Sequence, residues 1–360
     1  MPKVTVLMPV YNAGLFLREA INSILGQTWP DFEFLIINDG STDNSREIIS
    51  SFSDPRIRLI DNPTNIGLTK SLNRGLQLSK GEYIARQDAD DISYPERLEK
   101  QILFLDAHPD IVLLGTRGRA IDKNGNPSQA NPLRIPVGLL AIHWYLMFQN
   151  AFIHSSVMFR RVIVWERLGG YDESFKRAQD YEIWSRTARS FKVENLSDIF
   201  IDHRFEYGSI VSRLPLTLAP EEDIAHKNLQ VFLKYPDVPV QWSRFINSFR
   251  RKEKFDDDTD WRQVSDLFDR ISTRYCELNP AARQDQSIRS HMADNFYWIA
   301  YYSAPYNRSV SLSAYMRARK LATKTDRHPP LIKYAMLWST GDWIRRLYHR
   351  CRHNLNSGDS

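Results

Sequence analysis

Short β-rich runs alternate with helical patterns over the first 120 residues of the chain. Residues 4–10, 34–37, 57–60 and 83–85 have the length and the apolar content of buried strands. The segments between them repeat apolar residues near the 3.6-residue period of a helix, as residues 15–25 do. This alternation is typical of parallel strands joined by crossover helices. We therefore predict an α/β fold with a mostly parallel central sheet flanked by helices.

The pattern changes in the last third of the chain. The 360 residues exceed the usual size of a single hydrophobic core. Long helical stretches, such as residues 260–278 and 287–302, follow one another there without a convincing strand. We predict a first domain over residues 1–215 and an all-helical C-terminal region over residues 216–360, with the boundary at residues 215–220.

Glycine and proline interrupt the regular pattern over residues 117–136. Such a composition favours turns, and we predict a hairpin or loop excursion there. After it, we predict a strand over residues 155–159 and helices over residues 160–168 and 180–190.

The composition is that of an ordinary globular protein, with 42% hydrophobic and 25% charged residues. It excludes disordered and collagen-like chains. Two cysteines, Cys276 and Cys351, cannot form a disulfide framework and fit a reducing compartment. The apolar run at the amino terminus is shorter than a signal-peptide core, and no 18-residue apolar stretch occurs. We expect a cytoplasmic protein.

The excess positive charge lies near the carboxyl end. The whole chain has a formal net charge of +5, and residues 301–360 alone hold 11 Lys and Arg against 3 Asp and Glu. Basic residues alternate with aromatic and aliphatic ones over residues 310–353, as in a helix that lies on an anionic membrane surface. A helical packing or oligomer face is the second interpretation. Nucleic-acid binding is the third, but no recognition motif accompanies the charge, and we expect no nucleic-acid partner. Under the membrane interpretation, the protein would be peripheral on the inner face of the cytoplasmic membrane.

Polar residues follow three of the predicted strands. These are Tyr11 and Asn12, then residues 38–40, then residues 88–91 with the sequence DADD. Ligands bind at the carboxyl ends of parallel strands, because loops and helix N-termini converge there. Three carboxylates within four residues would repel one another in such a cleft. A divalent cation with a bound diphosphate would offset that repulsion, and Mg²⁺ or Mn²⁺ suits oxygen ligands.

Several motifs together resemble glycosyltransferase family 2. In the first 100 residues they are 6–12 (VLMPVYN), 27–33 (QTWPDFE), 38–43 (NDGSTD), 65–68 (NIGL), 88–91 (DADD) and 95–98 (PERL). Further along they are 154–161 (HSSVMFRR), 169–173 (GGYDE) and 178–184 (AQDYEIW). The resemblance covers roughly the first 215 residues.

The resemblance implies a GT-A fold, which is Rossmann-like, and an inverting, metal-dependent glycosyltransferase. Residues 1–116 would bind a nucleotide-diphosphate sugar, with a UDP-sugar as the expected donor, and residues 117–215 would form the acceptor side. The implied cofactor is Mn²⁺ or Mg²⁺. The implied acceptor is a saccharide, either free or lipid-linked, in polysaccharide or glycan biosynthesis of the cell envelope.

The resemblance also implies a role for individual residues. Those of the nucleotide pocket would be Pro9, Tyr11, Asn12 and Asp39, with Asp39 accepting a hydrogen bond from the base edge. Asp88 would lie near the ribose, and Asp90 and His154 would be metal ligands. Asp180 would be the general base, because a sugar hydroxyl is a poor nucleophile until a carboxylate takes its proton. The metal would neutralise the charge of the leaving diphosphate.

The chain departs from the family pattern at three positions. Gln179 stands where an acid often precedes the base, and Asn38 stands where the family often has Asp. Glu206 replaces a histidine that relatives carry. Its carboxylate could still hold the metal, or His203 could supply the imidazole instead.

Two other functions stay open at this point. One is a noncatalytic carbohydrate-binding or assembly subunit with a degenerate site. The presence of Asp39, Asp90 and Asp180 argues against it. The other is a nucleotidyltransferase, which would want a glycine-rich basic loop after the first strand. Residues 11–14 (YNAG) are not such a loop.

Overall fold

The computed structural model describes residues 1–128, 133, 135–205, 219–239, 260–304 and 306–322. The chain divides into two compact units, Met1–Asp237 and Val238–Ser360. The predicted domain boundary at residues 215–220 overlaps residues 206–218, which lie outside the described parts of the chain, and it stays a prediction.

In the described residues of the first unit, eight strands form one mixed sheet. They are β1 (Val4–Val10), β2 (Phe32–Asn38), β3 (Ile57–Asp61), β4 (Tyr83–Arg86), β5 (Ile92–Ser93), β6 (Ile111–Ile121), β7 (Met158–Arg160) and β8 (Lys192–Arg204). Across the sheet they lie in the order β3-β2-β1-β4-β7-β6-β8-β5.

The amino-terminal half of the sheet is parallel, as predicted. β1 pairs with β2 and β4, and β2 pairs with β3, all in parallel register. The connecting helices are α1 (Leu17–Leu25), α2 (Ser45–Ser50) and α3 (Leu68–Leu78). Leu7 packs in the core on one face of the sheet, and Val6 and Met8 pack in the core on the other. Both faces are covered, which is why β1 is buried at every position and apolar at all of them except Thr5.

The second half of the sheet departs from the prediction. β7 runs antiparallel to both β4 and β6, whereas β6 and β8 are parallel. Within the hairpin or loop excursion predicted over residues 117–136, residues 117–121 continue β6 and pair with β8. Ile121 then forms an antiparallel bridge with Pro127, so a hairpin is present at the start of the predicted segment. β8 itself has no counterpart in the sequence-based prediction. The register shifts around Arg117 disturb the alternation by which a strand is recognised.

The remaining helices of the first unit cover this sheet. They are α4 (Arg97–Ala107), α5 (Leu139–Leu146), α6 (Gln179–Ser190) and α7 (Ala219–Phe232). A short 3₁₀ helix, His154–Ser156, precedes β7, and a π-helix, Val162–Arg167, occupies the position of the predicted helix 160–168. The helix predicted over residues 180–190 is α6.

The described residues of the second unit are helical, as predicted. They form α8 (Trp261–Leu278), α9 (Gln286–Ser303) and α10 (Arg308–Leu321). Asp260, Asp285 and Asn307 begin these three helices, and each side chain accepts a hydrogen bond from a backbone N–H of the first turn.

The first part of the basic tail, residues 310–321, belongs to α10. Arg317 pairs with Asp269, and Ser311 donates a hydrogen bond to the carbonyl of Ala300. The rest of the tail, including Cys351, lies outside the described residues. None of the helices in the described parts of the chain is both long and apolar enough to cross a membrane.

Candidate active site

The loops after β1 and β2 are joined by Asn12. Its backbone adopts the left-handed conformation, with φ of +50°, which Asn tolerates better than most residues. Its backbone N–H donates to Ser41 Oγ over 3.1 Å, and its Oδ1 accepts from the N–H of Thr42 over 2.8 Å. Tyr11 beside it is half exposed, and Pro9 is buried within β1. The first two predicted nucleotide segments therefore meet at one edge of the sheet.

Asp39 closes the loop that leads into α3. Its Oδ1 accepts hydrogen bonds from Asn62 Nδ2 at 2.6 Å and from the N–H of Ile66 at 2.9 Å. Its Oδ2 accepts from the N–H of Gly67 at 2.9 Å, where the glycine has φ of +93°. Asp39 lies in the predicted crevice, and these donors already occupy much of its accepting capacity. Contact with a nucleobase stays a prediction.

Asn38 has a local explanation for its departure from the family pattern. Its Nδ2 donates to Asp61 Oδ1 over 2.7 Å, and its Oδ1 accepts from the N–H of Ser41. An ionised aspartate at position 38 could not donate to Asp61 and would repel it.

Asp88 is held by a cation from its own strand. Arg86 is fully buried, and its Nη2 donates to Asp88 Oδ1 over 2.5 Å. Burial of Asp88 opposes its ionisation, but Arg86 together with His154 and His203 outweighs that effect, and the pKa of Asp88 lies below its ordinary value. Asp88 is therefore ionised at neutral pH.

Asp90 and Asp91 have opposite surroundings. Asp91 is completely buried, and its carboxylate accepts hydrogen bonds from Ser155 Oγ, from His203 Nδ1 at 2.8 Å and from the N–H of Arg204 at 2.8 Å. No side chain among the described residues donates a hydrogen bond to the Asp90 carboxylate. Burial, Asp91 and Asp88 raise the pKa of Asp90 to about 7. Of the two, Asp90 is the one available to a ligand.

His203 and Arg204 are supplied by β8, the strand that sequence reasoning missed. Burial opposes the charge of His203, but Asp91 and then Asp88 and Asp90 raise its pKa to about 9. The Arg204 guanidinium donates to the carbonyl of Asp90 over 2.9 Å and to Glu19 over 2.8 Å. It thus ties the acidic loop to α1. Glu206, which was considered beside His203, lies outside the described residues.

The PERL motif holds the acidic loop from the other side. Arg97 is fully buried, and its Nη1 donates to Gln87 Oε1 over 3.0 Å and to Ser93 Oγ over 2.8 Å. Its Nη2 donates to the carbonyl of Arg86 over 2.8 Å. Burial, followed by the nearby Arg86, lowers the pKa of Arg97 to about 9. This motif is structural support for residues 87–93.

His154 lies against Arg86 and Tyr171. Its Nε2 accepts from Arg86 Nε at 3.2 Å and is 3.0 Å from the Tyr171 hydroxyl. Burial, followed by Arg86, lowers the pKa of His154 to about 3, so the imidazole is neutral. Its role as a metal ligand stays a prediction, because a metal bond at Nε2 would displace the hydrogen bond from Arg86.

Asp180 is the second residue of α6 and lies within electrostatic range of Asp88. Its Oδ2 accepts from Asn150 Nδ2 at 2.7 Å, and its Oδ1 accepts from the N–H of Tyr181 at 2.8 Å. Burial raises the pKa of Asp180 to about 6, against the hydrogen bond from Tyr181, and Asp88 raises it further. The charge of Asp88 also acts on Asp90 and His154. The structure thus brings Asp88, Asp90, His154 and Asp180 together.

A metal ion would need ligands beyond the protein. Within the parts of the chain that the structure describes, no three His, Cys, Asp or Glu side chains are arranged to enclose one. The available donors are the Asp90 carboxylate and the Asp88 oxygen that Arg86 does not hold. One or two carboxylates completed by phosphate oxygens and water is the coordination that Mg²⁺ adopts in nucleotide sites.

Comparisons with known proteins show which family the chain resembles. Residues 5–168 match the model of the family described as Glycosyl transferase family 2. The putative glycosyltransferase EpsE of Bacillus subtilis is 34% identical over 223 residues, which are 57% of this chain and 78% of that protein. An uncharacterized glycosyltransferase of Methanocaldococcus jannaschii is 35% identical over 56% of this chain and 71% of its own length. The chain belongs to glycosyltransferase family 2.

The fold of this glycosyltransferase also resembles a solved structure. The crystal structure of S. aureus TarS 1-349 in complex with UDP-GlcNAc matches with a TM-score of 0.54 at 18% identity, over 88% of this chain and 90% of that one. The likeness confirms the predicted GT-A architecture with a helical C-terminal region. Family membership confirms the predicted activity class, glycosyl transfer.

Proposed function

We propose that this glycosyltransferase moves a sugar from a nucleotide-diphosphate sugar to a saccharide acceptor with inversion at the anomeric carbon. One observation supports this most: two half-buried carboxylates with raised pKa values, Asp90 at about 7 and Asp180 at about 6, both interact with the charge of Asp88. Negative charges close together favour the binding of a cation, and a carboxylate with a raised pKa can accept a proton. The metal that accompanies the donor diphosphate would be the cation, and the acceptor hydroxyl would supply the proton.

Asp180 is the general base in this proposal. Its carboxylate takes the proton of the acceptor hydroxyl as the new C–O bond forms at the anomeric carbon. The bond between that carbon and the diphosphate oxygen breaks on the opposite side. A base works best when its pKa lies near the working pH, which a value of about 6 satisfies. One carboxylate suffices for a single inverting displacement.

The residues at the strand ends fit a divalent cation. Asp90 would hold Mn²⁺ or Mg²⁺, with Asp88 beside it and the donor phosphates completing the coordination. When bound, the ion would neutralise the charge of the leaving diphosphate. The protein's own part is to hold Asp88 through Arg86 and to hold the Asp90 backbone through Arg204.

The nucleoside would lie over the loops after β1 and β2. Pro9, Tyr11, Asn12 and Asp39 are the proposed contacts, since they occupy the strand ends beside Asp88. A UDP-sugar is the proposed donor, and the UDP-GlcNAc bound in the structure of similar fold supports this choice. The acceptor is proposed to be a saccharide, free or lipid-linked, in the assembly of a surface glycan.

Two variants and a control test the assignments. The protein is incubated with UDP-glucose, UDP-galactose, UDP-GlcNAc and GDP-mannose, with Mn²⁺ or Mg²⁺ and with water or added sugars as acceptors, while release of the nucleoside diphosphate is followed. We expect Asp90→Ala and Asp180→Asn to lower turnover at least about 100-fold. Asp110→Asn, which changes an exposed acid paired with Lys192, should leave turnover unchanged. Undiminished turnover in both site variants would overturn the proposal.

A further inference from the structure

Asp180 is held on both carboxylate oxygens, and among the described residues only one of the donors is a side chain. The backbone N–H of Tyr181 donates to Oδ1, and Asn150 Nδ2 donates to Oδ2 over 2.7 Å. Asn150 belongs to the loop that follows α5, thirty positions before Asp180. Sequence reasoning assigned it no role.

The orientation of the Asn150 amide is fixed from its own side. Its Oδ1 accepts from the N–H of Phe152 over 3.2 Å, which directs the NH₂ group toward Asp180. The loop itself is anchored, because Ala151, Phe152 and Ile153 are all buried. In addition, Asn195 Nδ2 donates to the carbonyl of Ala151 over 3.1 Å. Asn150 is therefore a fixed donor rather than a side chain that happens to reach Asp180.

We propose that Asn150 is the positioning residue for the catalytic carboxylate: its amide fixes the rotation of the Asp180 carboxyl group so that a lone pair stays directed at the acceptor hydroxyl. The inference rests on the proposed function, in which Asp180 is the base. A hydrogen bond to the ionised carboxylate also favours the form that can take a proton. The other groups that act on Asp180 are the N–H of Tyr181, Asp88 and Arg86.

Removing the donor should impair the chemical step and leave donor binding intact. For Asn150→Ala we expect kcat to fall about 10- to 100-fold, the loss typical of a misplaced catalytic group. The KM for the UDP-sugar should change less than about twofold, because the proposed nucleotide contacts lie at the ends of β1 and β2, whereas Asn150 lies in the loop after α5. The probe is the nucleotide-sugar of the panel above with the highest turnover.

Asn228 offers a matched control. Its buried amide donates to the carbonyl of Leu146 and to Ser185 Oγ, and it does not touch Asp180. Asn228→Ala removes the same chemical group from the same unit. We expect it to lower the melting temperature at least as much as Asn150→Ala, with kcat within about twofold of the wild type. Equal kcat losses in the two variants would reduce Asn150 to a structural residue and overturn the inference.

Asn150→Asp gives a signature that a structural role would not produce. The side chain keeps its size but places a second carboxyl group against Asp180, and the two then share a proton. The acidic limb of the kcat/KM profile should move upward by about one pH unit. An unmoved limb would contradict the inference.

The experiment separates this inference from the proposed function. If Asp180→Asn keeps wild-type turnover, the base is wrong and the role of Asn150 is overturned with it. If Asp180→Asn loses turnover while Asn150→Ala and Asn150→Asp keep the wild-type kcat and pH profile, the base stands and only the inference about Asn150 is overturned.

Discussion

The fully buried guanidinium of Arg86 donates a hydrogen bond from Nη2 to Oδ1 of Asp88 over 2.5 Å. The two residues are separated by Gln87 alone, at the point where β4 ends. The pairing lowers the pKa of Asp88 in a crevice where burial and neighbouring carboxylates raise the pKa of Asp90 to about 7. Arg86 thus pairs with Asp88, the first aspartate of the DADD sequence, and Asp90 has no partner among the described side chains.

Removal of the Arg86 charge should destabilise the protein. For Arg86→Met we expect the free energy of unfolding at pH 7 to fall by about 2–4 kcal/mol, because Asp88 loses its buried partner. The pKa of Asp88 is depressed, so this contribution exists above the ordinary pKa of an aspartate and fades as the pH falls through the folded value. Denaturant unfolding at pH 7 and at about pH 2 to 3, below the ordinary pKa of an aspartate, measures both effects.

Arg46 provides the control for that prediction. It pairs with Asp61 over 3.1 Å, and its side chain is 58% exposed. Arg46→Met should cost less than about 1 kcal/mol. Losses of equal size at Arg46 and Arg86 would show that burial of the Arg86–Asp88 pair carries no special weight.

Metal removal should reveal the cost of ionising Asp90. Its raised pKa of about 7 means that stability declines as the pH rises from about 4 through 7. In EDTA at pH 8, the free energy of unfolding of Asp90→Asn should therefore be about 1–2 kcal/mol higher than that of the wild type. Mn²⁺ should raise the melting temperature of the wild type and of Asp110→Asn, but not that of Asp90→Asn. An equal metal shift in all three would place the ion elsewhere.

The pH dependence of transfer should report Asp180. A base must be ionised to act, and the pKa of Asp180 is about 6. We expect kcat/KM to be level above pH 7 and to fall about tenfold per pH unit below pH 6. The residual activity of Asp180→Asn should show no such limb. A limb that survives in this variant would belong to another group.

Ala178, the residue that precedes α6, has a backbone conformation that is uncommon for alanine. Ala178 has φ of +56°, in the left-handed region that costs an alanine about 1 kcal/mol. Ala178→Gly should leave stability unchanged or raise it by up to about 1 kcal/mol, whereas Ala178→Val should lower it by more than about 1 kcal/mol. Chemical denaturation of both variants tests this, and equal effects would show that the backbone conformation is not the reason.

The membrane proposal depends on the tail beyond α10. A chain that ends at Ala322 keeps the Arg317–Asp269 ion pair and removes the remaining basic residues. On vesicles with anionic lipid, we expect the full chain to float and the shortened chain to stay at the bottom, with the difference lost at high salt. Equal flotation would remove the membrane interpretation and favour the packing one.

The local signals in the amino-terminal half were sufficient for prediction. β1 to β4 and the acidic loop follow from short apolar runs that end in polar residues, because covered parallel strands must be apolar throughout. The order of these motifs also led to the family, which the comparisons then showed. The helices α8 and α9 could likewise be predicted, because their apolar residues recur at the helical period.

What sequence reasoning missed comes from elements with weak local patterns. β8 alternates irregularly because its register against β6 shifts, so neither the strand nor Arg204 at its end could be recognised, and His203 was predicted without the strand that carries it. Asn150 carries no signal at all, since its importance lies in a contact with a residue thirty positions away. The hydrogen bonds that occupy Asp39 were equally out of reach.

The sequence by itself therefore determined the fold class, the family and the carboxylates at the strand ends. These depend on residue type and spacing along one segment. Only the tertiary structure decided which carboxylate has internal partners and which has none among the side chains that the structure describes. Arg86 reaches Asp88, while His203 and Arg204 from β8 reach Asp91, and Asp90 is left to a ligand. That difference arises from burial and from charges brought together across the sheet.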